Sequence, residues 1–402
     1  MNIGFPQLES LVVRRGLCTG CGSCVGICPS AALSMSRVYG EPMPVCTGVC
    51  SSCGLCSRIC PGNDVPLLEL ERHCFGRNRK PALADLGVYR NSYNGYARDD
   101  FIRKKGASGG VVTALLVHAL ETGIIDCAIV AGFNTEKPWL TEAKIAASRE
   151  EIVDAAQSKY AVVPVNMRIR EAVKRGYRRI ALVGLPCHIH AVRKMQYYGI
   201  PRDISVKIKL TIGLFCASQF YFEGTRHILV EWCGIDKMEE IARLEYRGGD
   251  WPGHFVVQLR NGETVTVDRH RYVYHMLMPH YKRDRCEMCI DWSSELADIA
   301  VGDYWAPQRT GPDYYGTSAL LVRSSAGEEV VKSAVEEKVV YLEDLDPDKL
   351  CSSVGFEMKK HGAAYRLAQR QQFGWPTPNY HMQVDYTPFF RDFHMAPEKK
   401  ES

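Results

Sequence analysis

The sequence predicts an α+β or α/β protein in which a small, cysteine-crowded N-terminal module precedes a larger mixed α/β domain. Three observations lead there. Nine of the 17 cysteines (residues 18, 21, 24, 28, 46, 50, 53, 56 and 60) fall within 43 residues. From about residue 86 onward, short apolar runs alternate with helical stretches, the pattern of strands and helices that share one core. Finally, 402 residues at about 150 per domain make two or three domains that need no staples. The expected units are residues 1–75, 86–345 and 346–402.

Composition narrows the function classes. Apolar residues make up 46% and charged residues 24%, with Lys+Arg 50 against Asp+Glu 46 and a net charge of +4. That is an ordinary globular profile, without the charge excess that nucleic acid or a membrane surface would require of a partner. No stretch approaches 18 apolar residues, and MNIGFPQLESLVVRRG carries no signal-peptide core. We therefore expect a cytoplasmic protein with no integral membrane segment and no nucleic-acid partner. A secreted disulfide framework would favour a short chain and an even cysteine count. Clustered thiols in a reducing compartment are instead metal ligands or redox centres.

Residues 18–29 read CTGCGSCVGICP and residues 50–61 read CSSCGLCSRICP. Both are C-x2-C-x2-C-x3-C-P, the bacterial ferredoxin pattern for two [4Fe-4S] cubanes, in which the fourth cysteine of each run ligates the other cluster. On that rule Cys18, Cys21, Cys24 and Cys60 hold one cubane, and Cys50, Cys53, Cys56 and Cys28 hold the other. Glycines and serines between the ligands suit a backbone passing close to sulfide, and Pro29 and Pro61 restrict the chain just beyond it. Zinc also takes four cysteines, but its modules pair ligands across a longer spacer. Cys46 and Cys74 are surplus to both sets.

In the second module, KKGASGGVVTALLVHALETG (104–123) is a Gly/Ser loop feeding an apolar helix that Gly123 stops. The N–H groups of Ser108, Gly109 and Gly110, with Lys104 and Lys105 nearby, could cradle a pyrophosphate; a plain helix cap is the bland alternative. Residues 124–133 read as a buried strand, 166–176 as a helix, 178–187 as a strand ending at a glycine turn, HIHAVRKMQ as the opening of the next helix, and 206–216 as another strand. Residues 297–305 follow as a strand and turn. Cys187 and Cys216 thus fall at strand ends, where ligands collect, and RDRCEMCIDW (283–292) adds the pair Cys286 and Cys289. Four cysteines suffice for a third cubane, although isolated cysteines are commonly small core residues and a lone C-x2-C can be a redox dithiol. No G-x-G-x-x-G occurs in this module, so a Rossmann domain is not expected. His118, on an apolar helix, reads as a core residue, whereas His188 and His190 sit beside the possible cluster.

The ordered series KKGASGG, QSKY, GLPCHIHA, GLFC, RCEMCIDW and ELADIAVGDYW resembles the coenzyme F420 hydrogenase/dehydrogenase beta-subunit family over about residues 86–345. The resemblance implies a domain that binds FAD, exchanges hydride with the deazaflavin coenzyme F420 and passes electrons to iron-sulfur clusters. It implies that the Ser108, Gly109, Gly110 and Thr113 turn holds FAD phosphates, that Ser158, Lys159 and Tyr160 lie near the flavin ring, and that Cys187, Cys216, Cys286 and Cys289 hold a third [4Fe-4S] cluster. Hydride transfer is then expected near Lys159 and His188. Flavin would convert the electron pair into single electrons, with ferredoxin or other redox subunits as partners. The alternatives are a pure electron-transfer subunit and a ferredoxin-dependent reductase of another organic substrate. From about residue 349 the tail begins as a possible amphipathic helix and ends rich in rings (Tyr380, Tyr386, Phe389, Phe390, Phe393), too many for a free end.

Overall fold

In the computed structural model, residues 4–38, 41–81, 85–305 and 314–388 are described. The N-terminal module carries one hairpin, β1 (Leu33–Val38) and β2 (Glu41–Cys46). The larger domain is built on an eight-stranded mixed sheet. Its strands are β3 (Asn91–Ala97), β4 (Cys127–Phe133), β5 (Thr141–Ala146), β6 (Ile180–Gly184) and β7 (Ile208–Leu214). A small antiparallel sheet of β8 (Ile241–Gly248), β9 (His254–Leu259) and β10 (Thr264–Val267) stands apart. The main sheet is completed by β11 (Ile299–Asp303), β12 (Ser318–Val322) and β13 (Val340–Asp344). Its order is β13-β3-β12-β11-β7-β6-β4-β5. The central pairs β11·β7, β7·β6 and β6·β4 are parallel, so their carboxyl ends share one edge.

The sequence periods explain the layers. β6 is buried at every position, as a strand covered on both faces must be. One face carries the apolar helix Val111–Glu121 with the helix Ser325–Glu336. His118 is satisfied there, its Nε2 lying 2.8 Å from Ser333 Oγ. The other face carries the helix Pro186–Tyr198. That helix starts at Pro186, a residue suited to the first helical position, so Cys187 lies in the first helical turn and not on the strand. The predicted 166–176 helix is a 3-10 turn, Val165–Arg168, followed by the helix Ile169–Lys174.

The cysteine-rich module is not a separate bead. Ile27 and Ile59, each preceding the fourth cysteine of its run, are fully buried and join the second-face core with Ile169, Ile189, Val192 and Ile290. A Cβ on Gly26 would stand 2.0 Å from Asn166 O, so the two backbones touch. Phe356–Gln372 forms the tail helix, and Tyr380 wraps back into the body with 3% of its surface exposed. Tyr386 is exposed. Phe389, Phe390 and Phe393 lie outside the described residues. Among the described residues no helix is long and apolar enough to cross a membrane.

Ile59→Ala should cost about 2–5 kcal/mol, the usual range for truncating a buried isoleucine. Because the core is shared, urea should remove cluster absorbance and tryptophan fluorescence at the same, lowered midpoint. Loss of cluster absorbance alone, with an unmoved fluorescence transition, would contradict a shared core.

Candidate functional site

The two cysteine runs fold alike. Short helices Ser23–Gly26 and Leu55–Arg58 follow Gly22 (φ 79°) and Gly54 (φ 73°), both left-handed. Gly20 (φ 71°) and Ser52 (φ 53°) take the same hand one step before the second cysteine of each run. Backbone that alternates handedness turns successive N–H groups to one side and suits anionic sulfur. Gly20 N–H donates to Cys18 Sγ and Gly62 N–H to Cys60 Sγ, each at 3.4 Å. Gly22 is also a contact point, since a Cβ there would meet Pro164 O at 2.7 Å.

Side chains then gather into cavities. Cys18, Cys21, Cys24 and Cys60 line one, walled by Val12, Met35 and Pro44. The fourth cysteine of the second run thus meets the first three of the first run. Cys28 packs in the same apolar cluster as Cys56 and Cys50, and Cys53, Cys50 and Cys28 are the thiols that act on Cys56. A second cavity is lined by Cys187, Cys216, Cys286 and Cys289, with Gln219, Lys359 and Tyr380. Thr19 lines both cavities, and Gln219 Nε2 bridges them, 3.2 Å from Thr19 O and 3.5 Å from Cys187 Sγ.

This donor set fits a polynuclear cluster better than one ion. Zinc modules pair their ligands across a longer spacer, whereas here two runs of four cysteines exchange their fourth members, the ferredoxin arrangement. Burial pushes the thiols of Cys60 and Cys216 up to about 12 and Cys56 to about 11. Cys24 and Cys187 are raised well above the ordinary thiol value by the same cause. Thiols held this way give up protons when a metal core takes their place. Cys50 goes the other way, lowered by backbone N–H groups of Phe5 and Ser52.

Cations seal the junction between modules. Arg283 Nη2 donates to Cys18 O at 2.8 Å, and Lys194 Nζ to Cys60 O at 2.9 Å and Asp64 O at 2.6 Å. Arg285 donates to Gly62 O and Pro61 O at 3.1 and 3.2 Å, and Arg170 to Ile27 O. Asn166 joins three segments, with its N–H on Cys21 O and its Nδ2 on Ser23 Oγ and His188 O. None of these side chains was singled out from the sequence. Arg283 and Arg285, directly before the Cys286 pair, had a usable signal in their spacing; Asn166, Lys194 and Gln219 had none.

The residues expected around FAD collect at the carboxyl edge of the parallel strands. Ser108 Oγ lies 3.2 Å from Ser318 Oγ, and Ser318 is paired with Asp303 at the end of β11. A Cβ on Gly109 would stand 2.5 Å from Gly95 O. Gly110 (φ 73°) caps the helix in whose first turn Thr113 is buried. At the other end of this edge Tyr160 packs on Phe220 and Tyr246, next to Ser158 and Lys159. The Lys159 ammonium sits 5.5 Å from the Phe133 ring centroid at the end of β4 and donates to Ala155 O and Ala156 O at 2.6 Å and Gln157 O at 3.1 Å. Burial pushes its pKa down to about 7. Between the two ends lies Arg247, 3% exposed and paired with Asp303. Among the described residues, its Nη2 and Nε1 of the neighbouring Trp251 are buried donors with no hydrogen-bond partner. A guanidinium with a spare donor suits phosphate oxygen, so this edge has a place for a phosphate-bearing group.

His188 is corrected by its geometry. It is 2% exposed, its Nδ1 accepts the Leu185 N–H at 2.9 Å, and burial lowers its pKa to about 3. It steadies a helix start and lines neither cavity. His190, two residues on, lines the second cavity with its Nε2 2.8 Å from Asp291. Cys46 is exposed, with its thiol on Gly48 O.

Three family models match parts of the chain. Residues 92–170 match the family model for the coenzyme F420 hydrogenase/dehydrogenase beta subunit N-term, and residues 177–348 that for its C terminus. Residues 11–34 match a 4Fe-4S binding domain. Coenzyme F420 hydrogenase subunit beta of Methanosarcina barkeri is 33% identical over 253 residues, 62% of this chain and 80% of that protein. The protein of the same name from Methanothermobacter thermautotrophicus is 29% identical over 301 residues, 73% of this chain and 99% of that protein. Among solved structures, a chain of the xenon-derivatised F420-reducing [NiFe] hydrogenase complex from Methanosarcina barkeri aligns with a TM-score of 0.59 at 28% identity. The alignment covers 75% of this chain and 97% of that one.

The two ferredoxin-type sites differ in access, since Cys53 is exposed while Cys18, Cys21, Cys24 and Cys60 share a walled cavity. An anaerobic chelator should therefore free Cys50 and Cys53 for alkylation before Cys24 and Cys60, read by peptide mass mapping at successive stages of iron loss. Simultaneous labelling of both sets would contradict this order.

Proposed function

Because the chain belongs to the coenzyme F420 hydrogenase/dehydrogenase beta-subunit family, we propose that it exchanges hydride between coenzyme F420 and bound FAD. Single electrons then pass through three [4Fe-4S] clusters to or from a partner redox protein. One observation carries this reading: two four-cysteine cavities adjoin through Thr19 and Gln219. The second of them lies beside the sheet edge expected to hold FAD. Such a flavin takes up electrons as a pair and releases them singly, while each cluster carries one.

The chain's own residues supply position and charge. Cys216 comes two residues after the end of β7, and its N–H donates to Trp292 O at 2.8 Å. Phe215, next to it, lies against Gly302, where a Cβ would come within 2.0 Å of the ring; Gly302 precedes Asp303 and its partner Arg247. The expected flavin edge and the second cavity thus adjoin across the ends of the paired strands β7 and β11. Arg247 and the Ser108–Thr113 turn would hold phosphates. The Lys159 ammonium would stand by the ring and favour its negatively charged reduced form.

Anaerobic preparations should hold about twelve irons per chain, four for each [4Fe-4S] centre, with one FAD. Reduced coenzyme F420 alone should then bleach the flavin. About eight irons would remove the scattered-cysteine cluster, and reduction by ferredoxin but not by F420 would sink the hydride reading.

Lys159 gives a pH signature. Its charge is lost as pH rises through about 7, so flavin reduction by reduced F420 should slow over that range in stopped-flow traces. Lys159→Met should give the slower rate at every pH with iron content unchanged. A variant that keeps the step near pH 7 would remove this lysine from the site.

A further inference from the structure

The family models end at residue 348, yet the chain beyond it completes the second cysteine cavity. Two side chains of that cavity's lining, Lys359 and Tyr380, come from the tail. Lys359 rides on the helix Phe356–Gln372, and the thiols of Cys216, Cys289 and Cys286 act on its ammonium. The helix is anchored by the next residue. Lys360 is fully buried, 2.5 Å from Glu295 and 3.2 Å from Asp85 O. Glu295 is shared with Arg79, which also binds Glu71. A buried ion cluster of this kind is costly to break, so it fixes the helix that presents Lys359.

Tyr380 arrives by a separate tether. Asn379 N–H donates to Asn63 O at 2.9 Å, Val65 N–H to Asn379 O at 2.8 Å and Leu67 N–H to Tyr380 O at 3.3 Å. His381 Nε2 lies 2.5 Å from Asp64 Oδ1. The tail thus pairs with the segment directly after Cys60 and Pro61, the loop of the first cavity. From there the Tyr380 ring enters the second cavity, its hydroxyl 3.0 Å from Arg285 Nη2 and in reach of Cys289. One strap therefore touches both cysteine sites.

We propose that this strap sets the reduction potential of the cluster held by Cys187, Cys216, Cys286 and Cys289, with Lys359 and Tyr380 stabilising its reduced, more negative form. The inference rests on the three-cluster reading above. Gaining an electron adds one negative charge, and in a water-poor cavity a nearby ammonium and a hydroxyl donor favour that state more than they would in water. Asp291, a carboxylate on the same lining, opposes them but is engaged by His190 Nε2 and by the Glu295 N–H. Arg285 is turned toward the Pro61 and Gly62 carbonyls. Arg285 still acts on Cys289, though less than Lys359 does, and Lys359 also acts on Cys216. Lys359 and Tyr380 are positioning residues, and neither touches substrate.

The test is an EPR-monitored redox titration of the full-length, anaerobically reconstituted protein, with the second-cavity signal assigned by its loss in Cys289→Ser. Lys359→Met should keep the iron content of the parent and shift that cluster's equilibrium about tenfold toward the oxidised form, 59 mV for a one-electron couple. Tyr380→Phe should shift it in the same direction, Lys359→Arg should restore the parent value, and the other two midpoints should stay in place. A midpoint unmoved in Lys359→Met overturns the proposal, as does an equal shift of all three. Loss of four irons in Lys359→Arg as well as Lys359→Met would make the lysine a brace and overturn it too. About eight irons in the parent would instead defeat the three-cluster reading itself, which is a separate outcome.

Discussion

Sulfur that must carry negative charge where water is scarce is the constraint from which this molecule's architecture follows. Burial alone drives the thiols upward, Cys60 and Cys216 to about 12, and only metal, N–H donors and nearby cations can reverse that. The chain provides the donors locally, through left-handed residues at matching places in two loops. It provides the cations from a distance, through Arg283, Arg285 and Lys194. Each of these binds a carbonyl of a cysteine loop, so the contacts that offset charge are also those that dock the module.

Docking makes the two halves of the ferredoxin-like module unequal. The Cys18, Cys21, Cys24 and Cys60 site faces the larger domain and shares Thr19 with the second cavity. The Cys28, Cys50, Cys53 and Cys56 site faces outward, near Val49 at 89% exposure. Under the proposed function the duplicated module has an inner and an outer end, and the outer end is where a protein partner would exchange electrons.

The main sheet sets where the chemistry of the proposed function would meet. Parallel strands put all their carboxyl ends on one edge, and here that edge carries the residues expected around FAD, with Cys187 and Cys216. Its antiparallel flanks bring Ser318 and Gly95 to the same place. Residues far apart in the chain, such as Ser108 and Ser318, therefore meet at this edge.

Short-range chemistry was legible from the chain alone. Thiolate spacing of two and three residues is a property of a local loop, so the duplicated motif, its exchanged fourth cysteine and the strand-helix alternation could be read directly. The helix 111–120, the strand that ends just before Cys216 and the core role of His118 could be read in the same way. What tertiary structure alone decided was anything that depends on a partner brought from elsewhere. His188 and His190 are indistinguishable by pattern, yet helix rotation turns one into the core and the other toward the cavity. Lone polar residues such as Asn166, Lys194 and Gln219 carry no periodic signal, and their importance arises only where two backbones touch. The tail looked like an aromatic end in search of cover, and only folding brought Lys359 and Tyr380 to sulfurs encoded between 70 and 193 residues earlier. Motifs are written in neighbouring residues, whereas electrostatic environment is set by proximity in space.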